Sequence, residues 1–172
     1  TFNFNGGTLK PTANSDVFMQ NLTAANVKDG GAVLDTDGYD ITIAQALRHA
    51  PGATASPLPK RGSGNLTLTG ANTFTGPVTV NSGTLTLAGT APLSAASLSS
   101  AITNDGDFVF ASNTDQTLSG TVSGSGTLTK TGSGTLTLAG PTSYSGGTAI
   151  QAGKLAVMSG GNLDNSAVTL EA

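Results

Sequence analysis

Short runs in which leucine alternates with threonine recur along this chain between glycines, and they leave few folds open to it. Leu66-Thr67-Leu68, Thr84-Leu85-Thr86-Leu87 and Thr135-Leu136-Thr137-Leu138 all have this form. A strand sends successive side chains to opposite faces, so the leucines of each run gather inside and the threonines outside. Glycines at 132, 134, 140, 146, 147 and 153 lie where the chain must turn, and the expectation is that each is there to take a positive φ without steric cost.

The same stretch occurs twice. Residues 132–157 fall on residues 62–87 after a shift of 70 positions, Leu66 and Leu68 meeting Leu136 and Leu138, Phe74 meeting Tyr144 and Leu85 meeting Leu155. Gly64, Gly70, Gly76 and Gly83 meet Gly134, Gly140, Gly146 and Gly153, and in the lead-in Leu58 and Lys60 meet Leu128 and Lys130. A strand-and-turn unit that cannot bury its apolar face alone, present in more than one copy, is the mark of a stacked, quasi-one-dimensional protein.

These residues resemble the passenger-associated transport repeat, also known as the autotransporter-associated β-strand repeat, of bacterial surface proteins. The pattern G-x-G-T-L-x-L-x-G, an aromatic residue, G-x-[TV]-x-[VI]-x-x-G-x-L is met almost completely by the second copy. In the first copy Pro57 and Pro59 interrupt the lead-in, and Pro77 replaces the second glycine of the pair at 146 and 147. The strict motif covers about a third of the chain. The resemblance implies an extracellular location and a right-handed parallel β-helix, the all-β β-solenoid of surface passengers. Adhesins, toxins and structural spacers all carry it, so it defines the fold better than the role.

Composition agrees. Only 10% of residues are charged and 5% aromatic, and glycine fills 24 positions, unlike an average globular enzyme. The 37% hydrophobic content, being ordered in alternation, argues for stacked strands rather than disorder. With no cysteine there is no disulfide framework. A net charge of -3 argues against nucleic acid as a partner, and no apolar run reaches the length of a membrane span. The chain opens inside a strand-like sequence and ends in another half-rung, and reads as a segment of something longer.

One solenoid domain spanning 1–172 is expected. Its parts are looser rungs over 1–47, a proline-rich loop over 48–61, the first repeat over 62–89, linking rungs over 90–123, the second repeat over 124–159 and a partial rung over 160–172. A coil of roughly 20 to 25 residues gives about seven rungs at roughly 4.8 Å, a rod near 35 Å long. Phe2, Phe4, Leu9, Val17 to Met19, Leu22, Val27, Val33, Leu34, Ile41 and Ile43 are the inward positions expected of the first rungs. Phe74, Phe108, Phe110 and Tyr144 are the expected core aromatics, although a pair at period two such as Phe108 and Phe110 also suits a sugar platform. Asp35, Asp37 and Asp40 resemble the start of a calcium loop, but no glutamate follows at the distance an EF-hand needs, the only one being Glu171, and the reading preferred is a turn held by Asx hydrogen bonds.

Residues 48–61 hold three prolines, three of the seven basic residues and the only histidine. A run so rich in proline is expected to leave the wall as a protruding loop, a tolerated insertion or a place for binding. Arg48, His49, Lys60 and Arg61 would be the interacting residues, with Lys60-Arg61 a candidate protease site and His49 solvent-facing. No catalytic, cofactor-binding or metal-ligating residue is expected: the acids sit in turns, no nucleophile motif is present, and hydrolysis of glycosides needs two facing carboxyl groups.

The function expected is therefore non-enzymatic, a stalk or adhesive module on a bacterial surface. Its partners would be neighbouring rungs, copies of itself, or host or surface glycans. The runner-up is a subunit stacking head to tail into filaments. Lower in rank, the outward Thr pairs at 67/69, 84/86, 127/129 and 135/137 would form one flat hydroxyl array suited to ice or polysaccharide, and a carbohydrate-active enzyme comes last.

Overall fold

The computed structural model of the chain describes residues 1–89, 99–163 and 167–170. Its strands follow one another in turns: β1 (Phe2–Phe4), β2 (Thr8–Leu9) and β3 (Ser15–Met19), then β4 (Ala25–Val27), β5 (Val33–Asp35) and β6 (Ile41–Ile43), then β7 (Leu47–His49), β8 (Leu58–Arg61) and β9 (Asn65–Leu68). β10 (Val78–Val80) and β11 (Thr84–Gly89) belong to the fourth turn, β12 (Ile102–Asn104), β13 (Asp107–Ser112) and β14 (Gln116–Leu118) to the fifth. β15 (Val122–Ser123), β16 (Thr127–Lys130) and β17 (Thr135–Leu138) form the sixth, β18 (Thr148–Ile150) and β19 (Lys154–Val157) the seventh, and β20 (Val168–Leu170) enters the eighth.

Strands pair with the turn before and the turn after, always in parallel. β3, β6, β9, β11, β13, β16, β18 and β20 make an eight-stranded sheet, and β2, β5, β8, β10, β12 and β15 a six-stranded one. The third face carries β1, β4 and β7 at one end and β14, β17 and β19 at the other. This is a β-solenoid of about eight turns, close to the seven expected. No helix occurs among the described residues. Residues 90–98, part of the expected linking rungs, lie outside the described residues.

The interior is built as the alternation requires. One inward column runs Ile41, Leu66, Leu85, Phe108, Leu128 and Thr148, and beside it stand Ile43, Leu68, Leu87, Phe110, Lys130 and Ile150. Phe74, Phe108 and Phe110 are at most 1% exposed and Tyr144 is 4%, so all four aromatics are core, as expected. In the first turn Phe4 and Met19 are buried while Phe2 and Val17 stand exposed. Only one flank of that turn is covered, and the pairing of β3 shifts register between Ser15 and Met19, which rotates Val17 outward.

Two expectations need correction. Of Gly64, Gly70, Gly76, Gly83, Gly134, Gly140, Gly146 and Gly153 only Gly83 and Gly153 have positive φ. At Gly64, Gly70, Gly76, Gly134, Gly140 and Gly146 the reason is space: a Cβ there would run into the backbone of the turn beneath, for example Tyr39 O under Gly64 and Gly120 O under Gly140. The other concerns the copies. β8 and β9 lie on the six- and eight-stranded sheets, whereas their equivalents β16 and β17 lie on the eight-stranded sheet and the third face. Circuits near the C-terminal end take 20 residues, Asp107 pairing with Thr127 and Leu128 with Thr148. A 70-residue shift is therefore a whole number of turns plus one corner, and the repeat is a corner-forming unit rather than a rung.

Candidate functional site

The proline-rich stretch stays mostly in the wall. Arg48 and His49 end β7 and Leu58 to Arg61 are β8, leaving only residues 50–57 as an arm between them. Proline removes a donor but keeps its carbonyl, and the ladder uses what remains. Ala32 N–H donates to Pro57 O at 2.9 Å, Leu58 N–H to Pro77 O at 2.9 Å, and Thr36 N–H to Arg61 O at 2.9 Å.

The arm is tied down. The Asp29 carboxylate accepts from Thr54 N (2.6 Å), Thr54 Oγ1 (2.9 Å) and Ala55 N (3.0 Å). The bond from Ala55 N–H is the largest of the effects that hold the Asp29 carboxyl below its usual range, followed by those from Thr54. His49 is half-buried rather than solvent-facing: its Nε2 donates to Ala53 O at 3.1 Å, and Nδ1 lies 2.6 Å from Ser56 Oγ and 2.9 Å from Thr75 Oγ1. The trio of Ser56, His49 and Asp29 has the residue types of a hydrolase, but Ser56 is 0% exposed and its hydroxyl donates to Val27 O at 2.8 Å. These groups fasten the arm and present no accessible nucleophile.

The four basic residues expected to act together do not converge. Arg48 and Arg61 are exposed, His49 is engaged as described, and Lys60 is 0% exposed. Lys60 is inward because it occupies an inward position of β8, in register with Leu34 and Val80. The dibasic pair is thus half inside the core and no open protease site.

At the acidic turn, Asp35 Oδ1 accepts the Asp37 N–H at 3.0 Å, the Asx turn expected. Lys10 pairs with Asp35 at 3.6 Å and Asp37 at 3.2 Å, and the bond to Asp37 raises the Lys10 pKa. Asp40 accepts the Asn65 N–H at 2.8 Å. Among the described residues no three His, Cys, Asp or Glu side chains are grouped to hold a metal ion.

This last contact belongs to a pattern that sequence reading missed. Asp105 accepts from Ser125 N (3.0 Å), Asn113 from Ser133 N (3.3 Å) and Asp115 from Thr135 N (2.6 Å), each 20 residues on. Asn14 accepts likewise from Asp40 N at 3.0 Å. At corners the ladder is interrupted, and an Asx of one turn takes up a backbone donor of the next. The readable signal was Asp or Asn recurring one circuit ahead of Ser or Thr.

The outward threonines do not form one array. On the eight-stranded sheet Thr67, Thr86, Val109 and Thr129 stand in one column and Asn65, Thr84, Asp107 and Thr127 in another, while Thr135 and Thr137 are on β17 of the third face. Several hydroxyls are already engaged: Thr86 Oγ1 donates to Asn65 Oδ1 at 2.9 Å, and Asn65 Nδ2 to Thr67 Oγ1 at 3.2 Å.

A parallel β-solenoid with corner-forming repeats is the class that fold and site define. Residues 58–87 and 128–157 match the passenger-associated transport repeat family, so the chain carries two of these repeats as a passenger-type repeat module. No curated protein and no solved structure matches the chain.

Proposed function

We propose that the chain is a rigid spacer within a secreted or surface-exposed passenger, holding other segments of that passenger away from the cell. The observation that carries this reading is the unbroken eight-stranded parallel sheet, in which every described turn bonds to its neighbours. Load along the axis passes through each inter-turn interface in succession, and within an interface it is shared among the backbone bonds of the strands paired there, which is what a stalk requires. The role asks no chemistry of the surface, in keeping with engaged polar groups at the arm and corners. Its partners are adjoining rungs, with glycans as the class of ligand for an adhesive variant of the same role.

The test is mechanical. Pulled from its two ends, the protein should yield in successive steps, each releasing one circuit of about 20 residues or roughly 70 Å of chain. Extension in a single low-force event would refute the spacer reading. End-to-end association of copies is a second reading, favoured by Phe2 and Val17 exposed on the first turn and Val168 and Leu170 on the last. Light scattering against concentration separates the two: rods that lengthen with concentration support association, and a constant mass of 16.8 kDa rules it out.

A further inference from the structure

Each matched segment has a lysine at its third position, Lys60 and Lys130, and both side chains are 0% exposed. Lys60 Nζ lies among four oxygens: Gly62 O at 2.6 Å, Ser82 O at 3.0 Å, Arg61 O at 3.1 Å and Thr36 Oγ1 at 3.2 Å. Lys130 Nζ donates to Gly132 O and, at 3.4 Å, to Ala152 O, with the ring of Phe110 5.7 Å below it.

The two sites sit at different corners, yet their acceptors fall at the same distances along the chain. In both, one carbonyl is two residues on, in the lysine's own turn, and one is 22 residues on, in the next turn. A tight corner turns carbonyls inward, where no strand can reach them, and an unpaired buried carbonyl is costly. Other corners meet this with short donors: Asn104 Nδ2 donates to Thr127 O at 2.8 Å, and Ser112 Oγ to Gly89 O at 3.2 Å. Only the lysines carry three donors and a charge. An ammonium taken out of water persists only where oxygens replace its hydration shell, and these corners supply them.

We propose that the lysine of each repeat is a built-in cation that sets the spacing of successive turns, and that the inward oxygens at the Lys60 corner form a binding site for a primary ammonium ion. The side chain delivers that ion tethered, and a free alkylammonium takes its place when the tether is cut. Burial is the larger influence and lowers the pKa of both lysines; the charged groups facing these sites, Asp35 and Asp40 around Lys60 and Asp115 near Lys130, act in the opposite sense and favour the ammonium form. Lys60 and Lys130 are positioning residues.

The experiment compares urea unfolding of the parent with Lys60→Met, which keeps the stem as far as Cε and removes the ammonium group, and with Lys60→Ala, which opens the site. Lys60→Met should raise the unfolding equilibrium constant about a hundredfold, since Gly62 O and Ser82 O lose the ammonium that donates to them, whereas Arg61 O keeps the Thr36 N–H. Ethylammonium chloride should recover at least about tenfold of the Lys60→Ala loss relative to sodium chloride at equal concentration, and tetramethylammonium, which has no N–H, should recover none. Lys60→Met as stable as the parent, or equal effects of ethylammonium and sodium, would overturn the proposal. Should Lys60→Ala fail to fold, nitrogen-15 spectra of the parent decide: slowly exchanging Nζ protons on Lys60 and Lys130 at neutral pH support the site, and Nζ protons exchanging as fast as those of Lys28 refute it.

Discussion

Replacing Gly126 with alanine separates two reasons for which a solenoid uses glycine. Gly126 is buried at an ordinary φ, and a Cβ there would overlap Gly106 O of the turn beneath. The corner can make room only by lifting away, which breaks Gly126 N–H to Asn104 O (2.8 Å), Thr127 N–H to Gly106 O (3.0 Å) and Asn104 Nδ2–H to Thr127 O (2.8 Å). At about 1 kcal/mol each the loss is about 3 kcal/mol. Alanine restricts the unfolded chain and returns about 0.4–1 kcal/mol, so about 2–2.5 kcal/mol remains as net destabilisation. With a urea slope of about 2 kcal/mol/M, the midpoint falls by about 1 M. Two controls fix the cause. Gly7 has open space and ordinary φ, so Gly7→Ala should gain about 0.4–1 kcal/mol. Gly52 has open space but φ of 79°, so Gly52→Ala should lose about 1–2 kcal/mol from backbone strain alone. If Gly126→Ala melts no earlier than Gly7→Ala, close stacking of corners is not what demands glycine and the reasoning fails.

Burial pushes the Lys60 pKa from 10.5 down to about 8, so between pH 8 and 10.5 the unfolded chain binds the extra proton and stability should rise with pH. A urea midpoint that climbs over this window in the parent, and climbs less in Lys60→Met, is the expected result. The Asp29 pKa is lowered, so its hold on the arm is complete above its unfolded value of 3.8 and is lost as pH falls through the folded one. Asp29→Ala should therefore speed amide exchange at Thr54 and Ala55 at pH 6, and acid should lower the protection of these two amides in the parent relative to their intrinsic rates at the same pH; unchanged exchange in the variant would show the arm held by other contacts. Excising residues 127–146 joins Gly126 to Gly147 and brings β18 into register with β13, since Asp107 pairs with Thr127 and Leu128 with Thr148. The shortened chain should fold with a urea slope smaller by about an eighth, because that slope follows the surface exposed; an aggregated or unfolded product would show that turns are not interchangeable.

The period-two pattern of Leu66, Leu68, Leu136 and Leu138 was enough to place the core, because alternation in a strand has one physical outcome, and Phe108 and Phe110 followed from the same rule. Lys60 and Lys130 were legible as repeat positions but not as interior ones. Charge suggests solvent, and only the position of β8 and β16 in their columns shows that the leucine two residues earlier, Leu58 or Leu128, shares its face with the lysine. The prolines at 57 and 59 misled for a related reason: loss of an N–H was weighed, while the Pro57 carbonyl that the Ala32 N–H reaches across to use was not. Which sheet each copy occupies depends on circuit lengths that vary from one turn to the next, and no local motif encodes a running total.

That the two repeats bend the chain at different corners makes the motif a hinge pin that fits any edge of a three-sided tower. A copy gained or lost need not be a whole storey, so lineages of such chains can alter the compass bearing of everything built above it as well as the height. The Leu-Thr runs of the two copies already look out along different bearings, Thr67 from the eight-stranded sheet and Thr137 from the third face. A receptor or antibody that reads one copy would have to approach the second from another side.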